Sequence, residues 1–169
     1  MNKQETYQYL KDHNIPFEIT EHPAVYNMEE LESIDLPYPE GDAKNLFVRD
    51  DKKKNYYLIT VKGDKRVNLK EFQKTHGLRP LSFASPEDLK KYMDLTPGAV
   101  TPLGLLNVEE APITLYLDSE FKDSIIGIHP NENTATVWLK GDDLVALLRE
   151  NGCEVEIVEI YEGRWYEKL

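Results

Sequence analysis

A single cysteine, Cys153, stands among the 169 residues. The chain can therefore close no internal disulfide and offers no cysteine-rich zinc site. Cys153 precedes a predicted strand, which fits inert packing rather than nucleophilic chemistry. No apolar run approaches the roughly 20 residues that a membrane span needs. Positive charge is also scarce: 20 Lys and Arg face 31 Asp and Glu, for a net charge of −11. A broad basic face for nonspecific nucleic-acid binding is excluded, while a local contact to a few phosphates stays open. Neither DNA nor a membrane is an expected partner. Familiar catalytic kits are missing as well. The sequence has no P-loop, no GxGxxG and no GxSxG. No HxxxH, HxH or carboxylate–histidine cluster has ligand spacing, so no metal and no cofactor are expected. The polar start, Met1-Asn2-Lys3-Gln4-Glu5, reads as a helix and not as a signal peptide, which points to the cytoplasm.

What remains is an ordinary globular composition, 40% hydrophobic and 30% charged, on a chain long enough for one domain over 1–169. Period-two alternation of Ile15, Phe17 and Ile19 predicts a strand. Strands about 44–50 and 55–62, joined by a charged turn, predict a β-hairpin. Short helices are expected over 3–13, from Asn27, after Asn68, after Ser85-Pro86 and after Gly141. Further strands are expected at "PLSFAS", "APITLYLD", "SIIGIHP", "TATVWLKG" and "EVEIVEI". About seven strands and about five short helices without regular alternation define the α+β class.

Three features invite chemistry. Lys44, followed by Asn45, enters the predicted strand "AKNLFVRD" just before Leu46, Phe47 and Val48. Taken alone, it reads as a strand-end lysine snorkelling to water. Gly98-Ala99-Val100-Thr101-Pro102 belongs to a long apolar loop whose backbone groups need partners or a ligand. Taken alone, it is an ordinary glycine–proline loop. His129 ends an apolar strand before a Pro-Asn turn, where a hydrogen-bonded structural histidine is the ordinary reading. His22, at a strand end beside Pro23, is placed to border a cleft.

Four stretches, in this order and spacing, carry a resemblance: "EHPAVYNMEEL", "AKNLFVRD…NYYLITVKG", "LTPGAVTPLGLLN" and "IGIHPNENTATVWL". Together they resemble the YbaK-like family, and within it the freestanding prolyl-tRNA editing proteins. The "KNLF" form is nearer to the branch that deacylates alanyl-tRNA(Pro) than to the cysteinyl branch. This resemblance implies a single YbaK-like domain. Its sheet is expected to be central, mixed and mostly antiparallel, of about seven strands, partly barrel-like and flanked by short helices. It implies that Lys44 engages the tRNA 3′ end near the terminal adenosine and its phosphate. Gly98 to Pro102 then hold the aminoacyl ester through their backbone, His129 lines the side-chain pocket, and Asn45 and His22 stand beside the substrate. No protein nucleophile or metal is implied; the adenosine's free hydroxyl assists water. The sequence departs from many relatives at Tyr26-Asn27 and at Leu103.

The expected function is that of a trans-editing hydrolase acting on alanyl-tRNA(Pro) to protect translation fidelity. Its partners are the aminoacylated 3′ end of tRNA(Pro) and, as a candidate, prolyl-tRNA synthetase. The alternatives are deacylation of a tRNA carrying serine, cysteine or a nonprotein amino acid, or a non-catalytic tRNA-binding module acting with the synthetase.

Overall fold

Capping chemistry sets where the helices begin. In the computed structural model, which describes residues 1–24 and 35–162, Asn2 and Glu5 form a reciprocal capping box at the start of α1, Lys3–Asp12. Ser85 and Asp88 do the same for α3, Pro86–Met93, with proline at the first helical position. Asn68 accepts from the Glu71 amide to open α2, Leu69–Thr75. The last helix, α4 (Gly141–Glu150), has no side-chain cap but carries Asp142 and Asp143 in its first turn. The helix expected from Asn27, and the departure at Tyr26-Asn27, lie outside the described residues.

Eight strands are described, and they form two sheets. β2 (Ala43–Asp50) and β3 (Tyr56–Lys62) make the expected antiparallel hairpin, in register Lys44 opposite Val61 and Asn45 opposite Thr60. β4 (Leu81–Phe83) adds to the far edge of β2. β5 (Ile113–Asp118) and β8 (Glu154–Val158) extend the other side in parallel, giving the order β4-β2-β3-β5-β8. The second sheet is antiparallel, β1 (Glu18–Glu21), β7 (Ala135–Lys140) and β6 (Ile125–Ile128) in that order.

The α+β class and the mostly antiparallel pairing hold. The single, partly barrel-like central sheet does not. β4 pairs with the far end of β2, Val48–Asp50, and among the described residues the bridging between the two sheets is one parallel pair, Asp42 just before β2 with Gly127 of β6. The two sheets meet at that seam and are not closed into a barrel.

Alternation along the five-stranded sheet divides the apolar side chains between two cores. Phe47, Leu58, Leu115 and Val155 face the larger core, shared with Leu10 of α1, Met93 of α3, Leu144 of α4 and Ile128 of β6. Val48, Ile59 and Val61 face the smaller one with Phe72 of α2 and Ile160. No described helix is long and apolar enough to cross a membrane.

Candidate active site

The first two candidates sit at the start of β2, and strand geometry sends them to opposite faces. Asn45 points to the larger core. Its carbonyl oxygen accepts from Thr60 Oγ1 at 2.6 Å, and its amide donates to the Val100 carbonyl at 3.4 Å. The hairpin therefore holds the Gly98–Pro102 loop through Asn45. Lys44 points to the other face, where its ammonium donates to the carbonyl of Lys65. Burial pushes the Lys44 pKa below its ordinary value. Asp64 and Glu162 oppose that shift, and the Arg66 charge adds to it. A lysine free to snorkel pays no such desolvation cost, so this cation is held at the strand end.

The loop has its own logic. Ala99 N–H donates to the Thr96 carbonyl at 3.1 Å, closing a turn with Pro97 and Gly98 at its centre. Gly98 has φ +92°, a backbone conformation that L side chains disfavour, so the glycine is required by the turn itself. Thr101 is fully buried and accepts from the Leu103 amide at 3.3 Å, capping a short 3₁₀ turn over Pro102–Leu106. Ala99 and Pro102 are buried, while Gly98 is exposed. At the end of that turn Asn107 donates to the Met93 carbonyl and to Asn131 Oδ1, at 2.9 and 3.2 Å. Asn131 in turn donates to Thr6 Oγ1 at 2.8 Å. This buried network ties the loop to the turn that follows His129.

His129 and His22 come together, with ring centroids 6.1 Å apart. A carbonyl only accepts, so the contacts fix both tautomers. His129 Nδ1 donates to the Ala135 carbonyl at 2.9 Å, and His22 Nδ1 to the Pro23 carbonyl at 2.8 Å. His22 Nε2 and Thr136 Oγ1 share a hydrogen bond at 2.9 Å. Burial holds the His129 pKa below its ordinary value against the Ala135 bond, and His22 lowers it further. Burial therefore favours the neutral form of His129, and the two rings form one wall. Two residues upstream, Gly127 lets the Trp138 ring lie over the strand, because a Cβ there would stand 2.2 Å from the ring.

The seam joins these groups. Asp42 bridges Gly127, and Lys44 and His129 each follow two residues later, so both candidates leave the junction of the two sheets. Burial pushes the Asp42 carboxyl up to about 6. Lys44 and the Gly98–Pro102 loop flank the start of β2 from opposite faces and share no hydrogen bond among the described residues. A hollow of about 550 Å³ lies at the other end of the five-stranded sheet, near Asn55, Pro112 and Cys153; none of the candidates lines it.

One residue was not visible as special in the sequence. Lys65, in a charged stretch that reads as solvated, donates to Asp118 Oδ2 at 2.5 Å and to the Ile160 carbonyl at 2.7 Å, and pairs with Glu120. Asp118 is fully buried. Burial opposes the Lys65 charge, but the two carboxylates outweigh it and raise the pKa. The available signal was Asp118, an acid closing an otherwise apolar strand.

Residues 22–147 match the model of the aminoacyl-tRNA editing domain. The chain belongs to that family. It is 38% identical over 159 residues to the prolyl-tRNA editing protein ProX of Acetoanaerobium sticklandii, covering 94% of this chain and 97% of that one. The prolyl-tRNA synthetase associated domain-containing protein 1 of Mus musculus is 32% identical, over 80% of this chain and 82% of its own. Within the proline–tRNA ligase of Chlamydia abortus, 18% of that enzyme aligns with 66% of this chain at 28% identity. A crystal structure of a candidate trans-editing enzyme for prolyl-tRNA synthetase shares the fold, with TM-score 0.68, 22% identity and coverage of 96% and 99%. Editing is hydrolysis of the ester between an amino acid and its tRNA. By class the chain is an aminoacyl-tRNA deacylase on the prolyl-tRNA editing side of the family.

Proposed function

We propose that the protein, as one editing domain, removes alanine from alanyl-tRNA(Pro). Carrying this reading is the arrangement around β2 in a chain of the editing family: a held cation on one face, and Asn45 tethering the Gly98–Pro102 loop on the other. Lys44 supplies a compact charge for a phosphate at the tRNA 3′ end. The loop offers backbone groups to the ester, and the histidine pair forms the wall against which the amino-acid side chain is measured. No nucleophile of the protein is needed, because the ester is already activated and orientation with a few donors lowers the barrier. The free hydroxyl of the terminal adenosine assists the attacking water.

Physical chemistry supplies the need. A synthetase pocket built for proline cannot exclude the smaller alanine, since a missing methylene changes binding by only ~1–3 kcal/mol. A second, smaller pocket that admits alanine and rejects proline completes the sieve. The relatives' association with prolyl-tRNA synthetase supports tRNA(Pro) as the substrate and the synthetase as a partner. The test is a rate comparison on alanyl- and prolyl-tRNA(Pro) with EDTA present. Fast hydrolysis of the alanyl ester alone is expected. Equal rates overturn the sieve, and a preference for seryl or cysteinyl esters reassigns the substrate. RNA binding without hydrolysis of any ester leaves only a binding module.

A further inference from the structure

The segment after β3, Gly63-Asp64-Lys65-Arg66-Val67, sorts its charges in a way that ester hydrolysis alone does not require. Lys62 and Lys65 are spent on carboxylates: Lys62 lies 3.8 Å from Glu120, and Lys65 pairs with Asp118 and Glu120. Arg66 is exposed and forms no ion pair among the described residues. Lys44 forms none among them either; its ammonium donates to the carbonyl of Lys65, the residue next to Arg66.

We propose that Arg66 is a second phosphate-binding residue, acting with Lys44 as a two-cation grip on the RNA strand that carries the aminoacyl end, and that Lys65 positions the two. This rests on the editing function above and extends its binding site beyond the terminal nucleotide. Lys65 is anchored from three sides by Asp118, Glu120 and the Ile160 carbonyl. Its amide donates to the Lys62 carbonyl at 3.0 Å, and Gly63 donates to the Asp42 carbonyl at 2.9 Å. The turn is thus fixed, and the Lys65 carbonyl with it. Of its three N–H donors, the Lys44 ammonium gives one to that carbonyl and keeps two for an anion. Arg66, one residue further on, presents a planar fork suited to bidentate phosphate contact.

Electrostatics agrees with the geometry. The acids nearest Lys44 by their influence, Asp64 and Glu162, form no ion pair with it among the described residues, while Arg66 disfavours its charge. In a chain of net charge −11, two neighbouring cations with no ion pair among the described residues mark a place for a polyanion. The strand they hold is single-stranded RNA at the acceptor end, because a duplex face would call for a broader basic surface.

The test is binding of an uncharged tRNA(Pro) acceptor-stem microhelix that keeps its single-stranded 3′ tail, beside the same stem made blunt, measured across a salt series. Arg66→Gln is expected to weaken binding of the tailed RNA roughly three- to tenfold and to reduce the slope of log K against log salt by about 0.7. Arg66→Lys should restore the slope, and the blunt stem should bind parent and variant alike. An unchanged slope in Arg66→Gln, or an equal loss on the blunt stem, overturns the proposal. Deacylation is followed separately. Hydrolysis of alanyl-tRNA(Pro) with no Arg66 effect on binding removes this inference and leaves the function standing. Arg66-dependent tail binding in a protein that hydrolyses nothing does the reverse.

Discussion

The two sides of the candidate site are built from different chemistry. On the Lys44 side, position is held by charge: a buried lysine–carboxylate cluster fixes a turn whose carbonyl holds a second lysine. On the histidine side burial disfavours charge on His129, and each imidazole is pinned through Nδ1 to a backbone carbonyl. A charged side suits a phosphate, common to every aminoacyl-tRNA. A shape-defined side suits the amino acid, the only part that differs between right and wrong substrates. On the proposed function, rate and grip belong to one side and selectivity to the other.

The strongest way to break that division is Lys44→Ala. Loss of a charged donor at the reacting end lowers such rates by ~100-fold or more, so deacylation of every aminoacyl-tRNA(Pro) should fall by at least that much. Melting temperature should barely move. Near-parental turnover would return Lys44 to an ordinary strand-end lysine. Lys44→Arg sharpens the point, since a planar fork does not reproduce a compact ammonium.

A smaller effect is expected at the seam between the two sides. The Asp42 carboxyl is raised from 3.8 to about 6 by burial. The native state therefore binds the proton more tightly than the unfolded chain does, and it loses stability as pH rises between those values. Above about 6 the whole cost is present. Asp42→Asn should stabilise the protein by about 1–3 kcal/mol at pH 7, with the gain vanishing as pH falls toward 3.8. Denaturant unfolding at the two pH values measures it. A gain that persists at low pH would show that Asp42 acts through packing and not through its charge.

Much of this was legible in the sequence. The caps at Ser85 and Asn68 and the β2–β3 hairpin follow from local chemistry, and local chemistry is what a sequence displays. Pairing between distant strands is not local. The parallel pairing of β5 with β3 and of β8 with β5, and the single bridge of Asp42 with Gly127, join residues far apart in the chain. The same limit applied to the site. Motifs marked Lys44, the glycine–proline loop and His129 as candidates, while the separation of Lys44 and Asn45 onto opposite faces came with the hairpin. The role of Lys65 was hidden, because its partner Asp118 lies 53 residues away. Gly98 shows the converse: the motif marked it for the substrate, and the fold adds a backbone reason, the positive φ of its turn.

The division of labour is tested most directly by the ratio of deacylation rates on alanyl- and prolyl-tRNA(Pro) in His129→Ala. Steric overlap of the kind that excludes a larger side chain costs ~1–3 kcal/mol and disappears with the wall. The preference for alanine should therefore fall by roughly 5- to 150-fold, while affinity for the uncharged acceptor microhelix stays at the parental value. With burial favouring the neutral imidazole, the parental preference should stay level from pH 8 down through 6.5. An unchanged ratio in a normally folded His129→Ala, or a loss of RNA affinity in place of selectivity, would contradict the account.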